Sequence, residues 1–174
     1  MKVLGVDPSC RSTGYGIVEQ GEGGELCAVK YGAIPVPQKH SLPQTLSVIH
    51  SEIVSLISEF LPNIVSMEAV FYAQNVRTAF KLGAVRGVVM LAAQSAGLPV
   101  VEHSATEIKL AVTGYGRASK ESVQKMVKIA LALTETPYPD DASDALAAAI
   151  CHLNTEKLRA QVKASYEAQT ASRR

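Results

Sequence analysis

The stretch KVLGVDPSCRSTGYGIVEQ, residues 2–20, decides how the N-terminal half of this chain folds. Residues 2–6 form a short apolar run that stops at Asp7, and Asp-Pro favours a turn, so a buried strand is predicted to end there. Two further strands are predicted over residues 13–19 and 26–34, with a glycine-rich hairpin turn between them. The stretch therefore predicts an antiparallel β-meander.

Helical and strand patterns alternate beyond the meander. Helices are predicted over residues 43–60, 75–96, 105–112, 119–133 and 141–158, and strands over 64–67 and from 99 onward. In the second helix, the side expected to face the core carries Val76, Phe80, Val85 and Val88. A meander followed by βαβ units predicts an α/β fold, a mixed five-stranded sheet with helices on both faces. Residues 1–158 are predicted to form a single domain, and residues 159–174 a polar, frayed C-terminal tail.

Composition and charge narrow the class of protein. With 47% hydrophobic and 19% charged residues, the chain is expected to be globular. Three separated cysteines without a CxxC pair argue against a disulfide framework or a zinc site. No apolar run reaches the length of a membrane span and no signal peptide precedes the first strand, so a soluble cytoplasmic protein is expected. Setting four carboxylates aside leaves 17 basic against 12 acidic side chains, a weak indication of a phosphate-bearing partner.

Carboxylates follow apolar segments at three places in the chain. Asp7 ends the first strand, Glu68 ends the strand at 64–67, and Asp141 and Asp144 open the last helix three residues apart. Each has an ordinary explanation: a turn residue for Asp7, a strand-end glutamate paired with lysine for Glu68, and N-terminal capping for the helix pair.

The combination of these acids favours a different interpretation. If the first and fourth strands are neighbours, Asp7 and Glu68 lie side by side. Four carboxylates brought together repel one another unless hard cations neutralise them, and oxygen ligands suit Mg²⁺ or Mn²⁺. Two such ions can clamp the attacking and leaving oxygens of a phosphoryl transfer. The constellation therefore points to phosphodiester chemistry.

Four motifs in this order resemble the RuvC family of bacterial Holliday-junction resolvases. They are VDPSCRSTGYGIV, MEAVFYAQNVRTAFKLGAVRG, TGYGRASKESVQ and DDASDALAAAICH, and together they extend over residues 1–153. The resemblance implies a ribonuclease H-like fold, a homodimer, and paired symmetric nicks across a four-way DNA junction during recombination and repair. It also implies two Mg²⁺ ions per subunit, for which Mn²⁺ is expected to substitute. RuvA and RuvB are the partner proteins that the resemblance implies.

The resemblance also assigns residues. It places the catalytic and metal-binding acids at Asp7, Glu68, Asp141 and Asp144, with Asp141 preferred over Asp140 because the family's D-x-x-D-A-L pattern aligns on it. The DNA-contacting residues expected from the resemblance and from local charge are Phe71, Arg77, Lys81, Lys109, Arg117 and Lys120. One departure is Ser9-Cys10-Arg11, since the family usually has glycine after the first Asp-Pro.

Two other functions fit parts of the sequence. An ATP-binding lobe of the actin or sugar-kinase type also ends its first strand in aspartate, followed by a turn that carries glycine and threonine, as Asp7 and Thr13-Gly14 do here. Such enzymes usually need two lobes, and 174 residues provide one. A non-catalytic junction-binding scaffold is the second alternative, but four unmetallated acids would repel DNA.

Overall fold

A computed structural model describes residues 1–69, 76–137 and 139–171. Its elements are β1 (Lys2–Asp7), β2 (Ser12–Gln20), β3 (Leu26–Pro35), α1 (Leu42–Phe60), β4 (Ile64–Glu68), α2 (Val76–Ser95), β5 (Val100–His103), α3 (Ala105–Thr113), α4 (Lys120–Ala130) and α5 (Asp140–Ala171). Their order is the predicted one. The largest departure is α5, which continues far beyond residue 158.

The five strands form one mixed sheet in the order β3-β2-β1-β4-β5. β1 and β2 are antiparallel, as are β2 and β3, whereas β4 is parallel to both β1 and β5. Pairing of β1 with β4 ends at Val6 opposite Met67, so Asp7 and Glu68 come next on adjacent strands. The predicted mixed five-stranded sheet is confirmed, and the condition on which Asp7 and Glu68 lie side by side, adjacency of the first and fourth strands, is met.

Helix α5 packs closely across one face of the sheet, over glycines. A Cβ added to Gly5 would lie 1.9 Å from the backbone oxygen of Ala145, and one added to Gly14 would lie 2.0 Å from that of Asp141. Where the helix crosses the strands, several of its buried side chains are small, which allows a close approach; they are Ala145, Ala147, Ala148 and Ala149. The first turn of α5 is therefore held directly above the ends of β1 and β2.

Helix α2 packs with α1 on the opposite face, but with a different side than predicted. Val85 and Val89 are fully buried with Ala92 and Ala93, while Val76 and Phe80 are 72% and 77% exposed. The prediction that Val76 and Phe80 face the core is wrong. The helix carries apolar residues on two opposite sides, so periodicity alone could not identify the buried one.

The C-terminal residues depart from the predicted frayed tail. Helix α5 runs to Ala171, and its described side chains from residue 157 onward are exposed. Among the described residues, no helix is both long and apolar enough to cross a membrane.

Candidate active site

Two strand ends carry the first pair of acids. Asp7 is the last residue of β1 and Glu68 the last of β4, and both are partly buried. Residues at the carboxyl ends of adjacent parallel strands share one edge of the sheet. On β2, Gly14 pairs with Asp7. Because Gly14 has no side chain, helix α5 can pack directly against the strand there.

The first turns of α5 carry the second pair of acids. Asp141 and Asp144 are partly buried, whereas Asp140 is exposed. The backbone of Asp141 lies against Gly14, so this helix start is held above the end of β1. Acids in a first helical turn also interact favourably with the helix dipole, an effect that does not require them to face the sheet.

The electrostatics show that these carboxylates act on one another. The pKa of Asp7 is raised from 3.8 to about 7, first by burial and then by the charges of Asp144, Asp141 and Glu68. Burial and Asp144 also raise the pKa of Glu68, while Lys109 opposes that rise. Strand ends and helix therefore bring all four predicted acids into one electrostatic group.

Lys120 reaches into this group from the first position of α4. Its Nζ lies 3.0 Å from Oδ2 of Asp144 and 3.4 Å from Oδ2 of Asp140. Ser119 caps the helix by accepting a hydrogen bond from the backbone N–H of Ser122 at 3.2 Å. The lysine charge thus partly offsets the carboxylates at the place where a metal ion would do so.

The four carboxylates are the kind of ligand that hard divalent cations prefer. The four side chains supply only carboxylate oxygens, and their mutual repulsion is the condition that a bound Mg²⁺ relieves. Among the residues that the structure describes, no three His, Cys, Asp or Glu side chains are arranged to hold an ion as they stand. The carboxylates would therefore have to close around an ion, and Lys120 would have to release Asp144.

The predicted DNA-contacting residues lie in different places. Lys109 on α3 lowers the pKa of Glu68, so Lys109 and Lys120 both border the acids. Arg117 lines a cleft of about 430 Å³ beside the start of α4 together with Tyr115 and Lys125.

Three other predicted DNA contacts belong to the β4–α2 region. Lys81 is exposed and lies near enough to Cys10 to lower the thiol pKa, against the larger effect of burial. Arg77 is exposed in the first turn of α2. Phe71 lies outside the described residues.

The loop after β1 shows what serine does at the position where the resemblance expects glycine. The hydroxyl of Ser9 accepts a hydrogen bond from the N–H of Arg11 at 3.3 Å. The Thr13 hydroxyl donates to the backbone carbonyl of Ser9 at 2.7 Å and accepts from its N–H at 3.2 Å. These bonds close the loop that follows Asp7, and the one from the N–H of Arg11 is the bond that the serine side chain adds.

One residue of the site was not predicted. Arg86 donates from Nη1 to the backbone carbonyl of Glu68 at 2.6 Å and pairs through Nη2 with Glu102. The sequence suggested only one more basic residue on α2, because nothing in its spacing indicates a bond to a strand end. The motif KLGAVRG, in which Arg86 stands between two glycines, was the only available signal.

Comparison with known proteins gives a consistent result. The family model described as "Crossover junction endodeoxyribonuclease RuvC" matches residues 3–152. A protein of that name from Trichlorobacter lovleyi is 48% identical, over 92% of this chain and 89% of its own length. One from Syntrophomonas wolfei is 42% identical, over 95% of each chain. The structure of "T. thermophilus RuvC in complex with Holliday junction substrate" superposes with a TM-score of 0.86 at 30% identity, covering 91% of this chain and 96% of that one.

Proposed function

Because the chain belongs to the RuvC family of crossover junction endodeoxyribonucleases, we propose that this ribonuclease H-like nuclease resolves four-way DNA junctions with two Mg²⁺ ions held by Asp7, Glu68, Asp141 and Asp144. Enzymes of this family are metal-dependent nucleases that act in recombination and repair. The observation that carries the assignment of residues is the mutual electrostatic effect of these four acids at one edge of the sheet. Because its proposed substrate is DNA, we also propose a cytoplasmic location for the protein.

The acids have distinct positions relative to a substrate. Asp7 and Glu68 stand on the rigid sheet, and Asp141 and Asp144 on a helix packed against it, so the constellation is held by regular elements rather than by loops. Divalent ions bound there would activate a water nucleophile and stabilise the departing 3′-oxygen. The products would carry 5′-phosphate and 3′-hydroxyl ends.

Basic residues beside the acids would hold the DNA backbone. Lys109 and Lys120 border the carboxylates, where a scissile phosphate would lie. Arg117 extends this positive surface along the cleft beside α4. Phosphate contacts position DNA without reading sequence, so these side chains fit an enzyme that recognises branch shape. Arg77, Lys81 and Phe71 remain proposed contacts, and Mn²⁺ is proposed to replace Mg²⁺.

The exposed side of α2 supports a homodimer. Val76, Phe80 and Leu91 are 72%, 77% and 58% exposed and recur at helical spacing with two glycines, Gly83 and Gly87. Among the described residues, a Cβ at either glycine would meet nothing within 4 Å. An apolar stripe with small residues at its centre lets two helices approach closely across a two-fold axis. Such a dimer would present one active site to each of two DNA strands.

The alternative functions lose support from the same observations. Family membership and the coupled acids favour a nuclease over an ATP-binding lobe, and acids that repel one another would weaken a non-catalytic scaffold's hold on DNA. RuvA and RuvB are the proposed partner proteins, and this proposal rests on family membership alone.

The decisive experiment uses a labelled four-way junction and a linear duplex of the same sequence, with Mg²⁺ and with EDTA. Paired symmetric nicks are expected only on the junction and only with Mg²⁺. Asp144→Asn should abolish cleavage and leave junction binding within a few-fold of the wild type, because the change keeps the shape of the side chain and removes its charge. Cleavage by Asp144→Asn at the wild-type rate would contradict the assignment of that residue, and nicking of the linear duplex would contradict junction specificity.

A further inference from the structure

Arg86 connects helix α2 with the strand end that carries Glu68. Its guanidinium donates to the backbone carbonyl of Glu68 at 2.6 Å and pairs with the carboxylate of Glu102 on β5. The Arg86 side chain is only 12% exposed. A charge so far removed from water is costly unless its hydrogen bonds are satisfied. The planar guanidinium meets the two acceptors through two separate nitrogens, Nη1 and Nη2, in a fixed geometry that the single nitrogen of a lysine does not offer.

Arg86 and Asp144 approach Glu68 from opposite faces of the sheet. Helix α2 packs on the face opposite α5, among the residues that surround Val65 and Met67 of β4. The carboxylate of Glu68 is influenced by Asp144, which stands on α5. Arg86 therefore holds the backbone of Glu68 from the α2 side, and its charge also lowers the pKa of the Glu68 carboxylate, against the larger effects of burial and Asp144.

The end of β4 is paired with β5 but extends past its register with β1. The β1 register ends at Met67, one residue before Glu68, whereas on the β5 side Glu68 pairs with His103 and the N–H of Ala69 donates to the carbonyl of His103 at 2.8 Å. Residues 69–75 then connect β4 to α2. Arg86 joins the two elements directly across that connection. Mg²⁺ demands near-ideal ligand geometry, so a small shift of one carboxylate weakens its binding.

We propose that Arg86 is a positioning residue for the metal site, which fixes the backbone at Glu68 so that its carboxylate can bind a divalent ion. The inference rests on the proposed function and deepens it. Residues that orient a metal ligand typically change metal affinity roughly 10- to 100-fold when they are removed. Glu102 acts with Arg86, since it holds the second half of the guanidinium.

The test measures Mn²⁺ binding to the metal-free protein by calorimetry, and hydrogen exchange at the amide of Ala69 by NMR. Arg86→Gln is expected to weaken Mn²⁺ binding about tenfold and to speed exchange at Ala69. Arg86→Lys, with one point charge, should restore part of the affinity, and Glu102→Gln should lose less than Arg86→Gln. Val89→Ala is the matched control, since it is a fully buried residue on the same helix three positions further along.

Each outcome separates the two proposals. Weaker Mn²⁺ binding in Arg86→Gln, with binding by Val89→Ala within about twofold of wild type at a comparable loss of thermal stability, supports the positioning role. Equal effects in both variants, or wild-type Mn²⁺ affinity in Arg86→Gln, overturn that role and leave the proposed nuclease intact. A wild-type protein that binds no Mn²⁺ overturns the metal site and the role of Arg86 together.

Discussion

At Asp7, burial and three neighbouring carboxylates act in the same direction. They raise its pKa to about 7, against the smaller opposing charge of Lys120. A strand-end aspartate that served only to start a turn would gain nothing from such neighbours. Ionisation of Asp7 is therefore unfavourable in the metal-free protein, and a bound cation would relieve that cost.

Asp7→Asn is therefore expected to stabilise the metal-free protein while abolishing cleavage. Because the folded-state pKa is raised from 3.8 to about 7, the wild type loses stability as pH rises through that window, and the loss is complete above about pH 7. The variant's advantage in free energy of unfolding should grow from pH 4 to 7 and reach up to about 4 kcal/mol. Urea denaturation in EDTA at several pH values measures it.

Saturating Mg²⁺ provides the control for this prediction. The ion stabilises the wild type, which keeps all four acids, more than Asp7→Asn. The two unfolding free energies should therefore approach one another or cross when Mg²⁺ is added. An unchanged difference across pH 4 to 8 in EDTA would contradict the raised pKa.

Asp140 and Asp141 show how far the residues alone could be interpreted. Both open the same helix, and sequence reasoning preferred Asp141 through the family pattern only. In the structure Asp141 raises the pKa of Asp7, whereas Asp140 is exposed and contacts Lys120. Their different surroundings favour the preference for Asp141, but they depend on how α5 crosses the sheet, which no local pattern encodes.

At the level of elements, apolar runs and turn residues were sufficient to predict the order of strands and helices. The adjacency of β1 and β4, which brings Asp7 and Glu68 together, was only a condition of the sequence argument and is seen in the sheet itself. The buried side of α2 could not be predicted because the helix is apolar on two sides, and the true length of α5 was missed because its outer part is polar. In both cases the outcome depends on which helix surface packs against another element, and the local sequence does not specify that.

The crossing of α5 over β2 gives a prediction at this scale. In Gly14→Ala, the added Cβ would lie 2.0 Å from the carbonyl oxygen of Asp141, so helix or strand must shift. We expect cleavage to fall at least tenfold, since a misplacement of about 1 Å can cost about 100-fold, and stability to fall by roughly 1–3 kcal/mol. Single-turnover cleavage and urea unfolding measure the two effects.

Gly23→Ala provides a control of the same size for this change. Its added Cβ would meet only the carboxylate end of Glu25, which can rotate away. This variant should cut junctions at nearly the wild-type rate. Wild-type cleavage by Gly14→Ala would show that the close approach of α5 is not needed to place Asp141.

For the whole molecule, the exposed stripe on α2 and the acids at the sheet edge belong to one arrangement. The same helix buries Val85 and Val89, exposes Phe80, and anchors Glu68 through Arg86. A dimer formed through α2 would thus be built on the element whose Arg86 contacts the backbone of Glu68, a proposed metal ligand. Two such sites related by a two-fold axis match the symmetry of a four-way junction.

Phe80→Asp is expected to break that dimer. The side chain is 77% exposed on the apolar stripe, and two aspartates placed in an interface across a two-fold axis would be desolvated and repel. Sedimentation should show a monomer, paired nicks should be lost, and junction affinity should fall at least tenfold. Leu158→Asp is the matched control, since Leu158 is also apolar and 61% exposed but lies on the outer part of α5. A Phe80→Asp protein that remains dimeric, or a wild type that is monomeric, would exclude α2 as the dimer contact and require another surface to pair the two cuts.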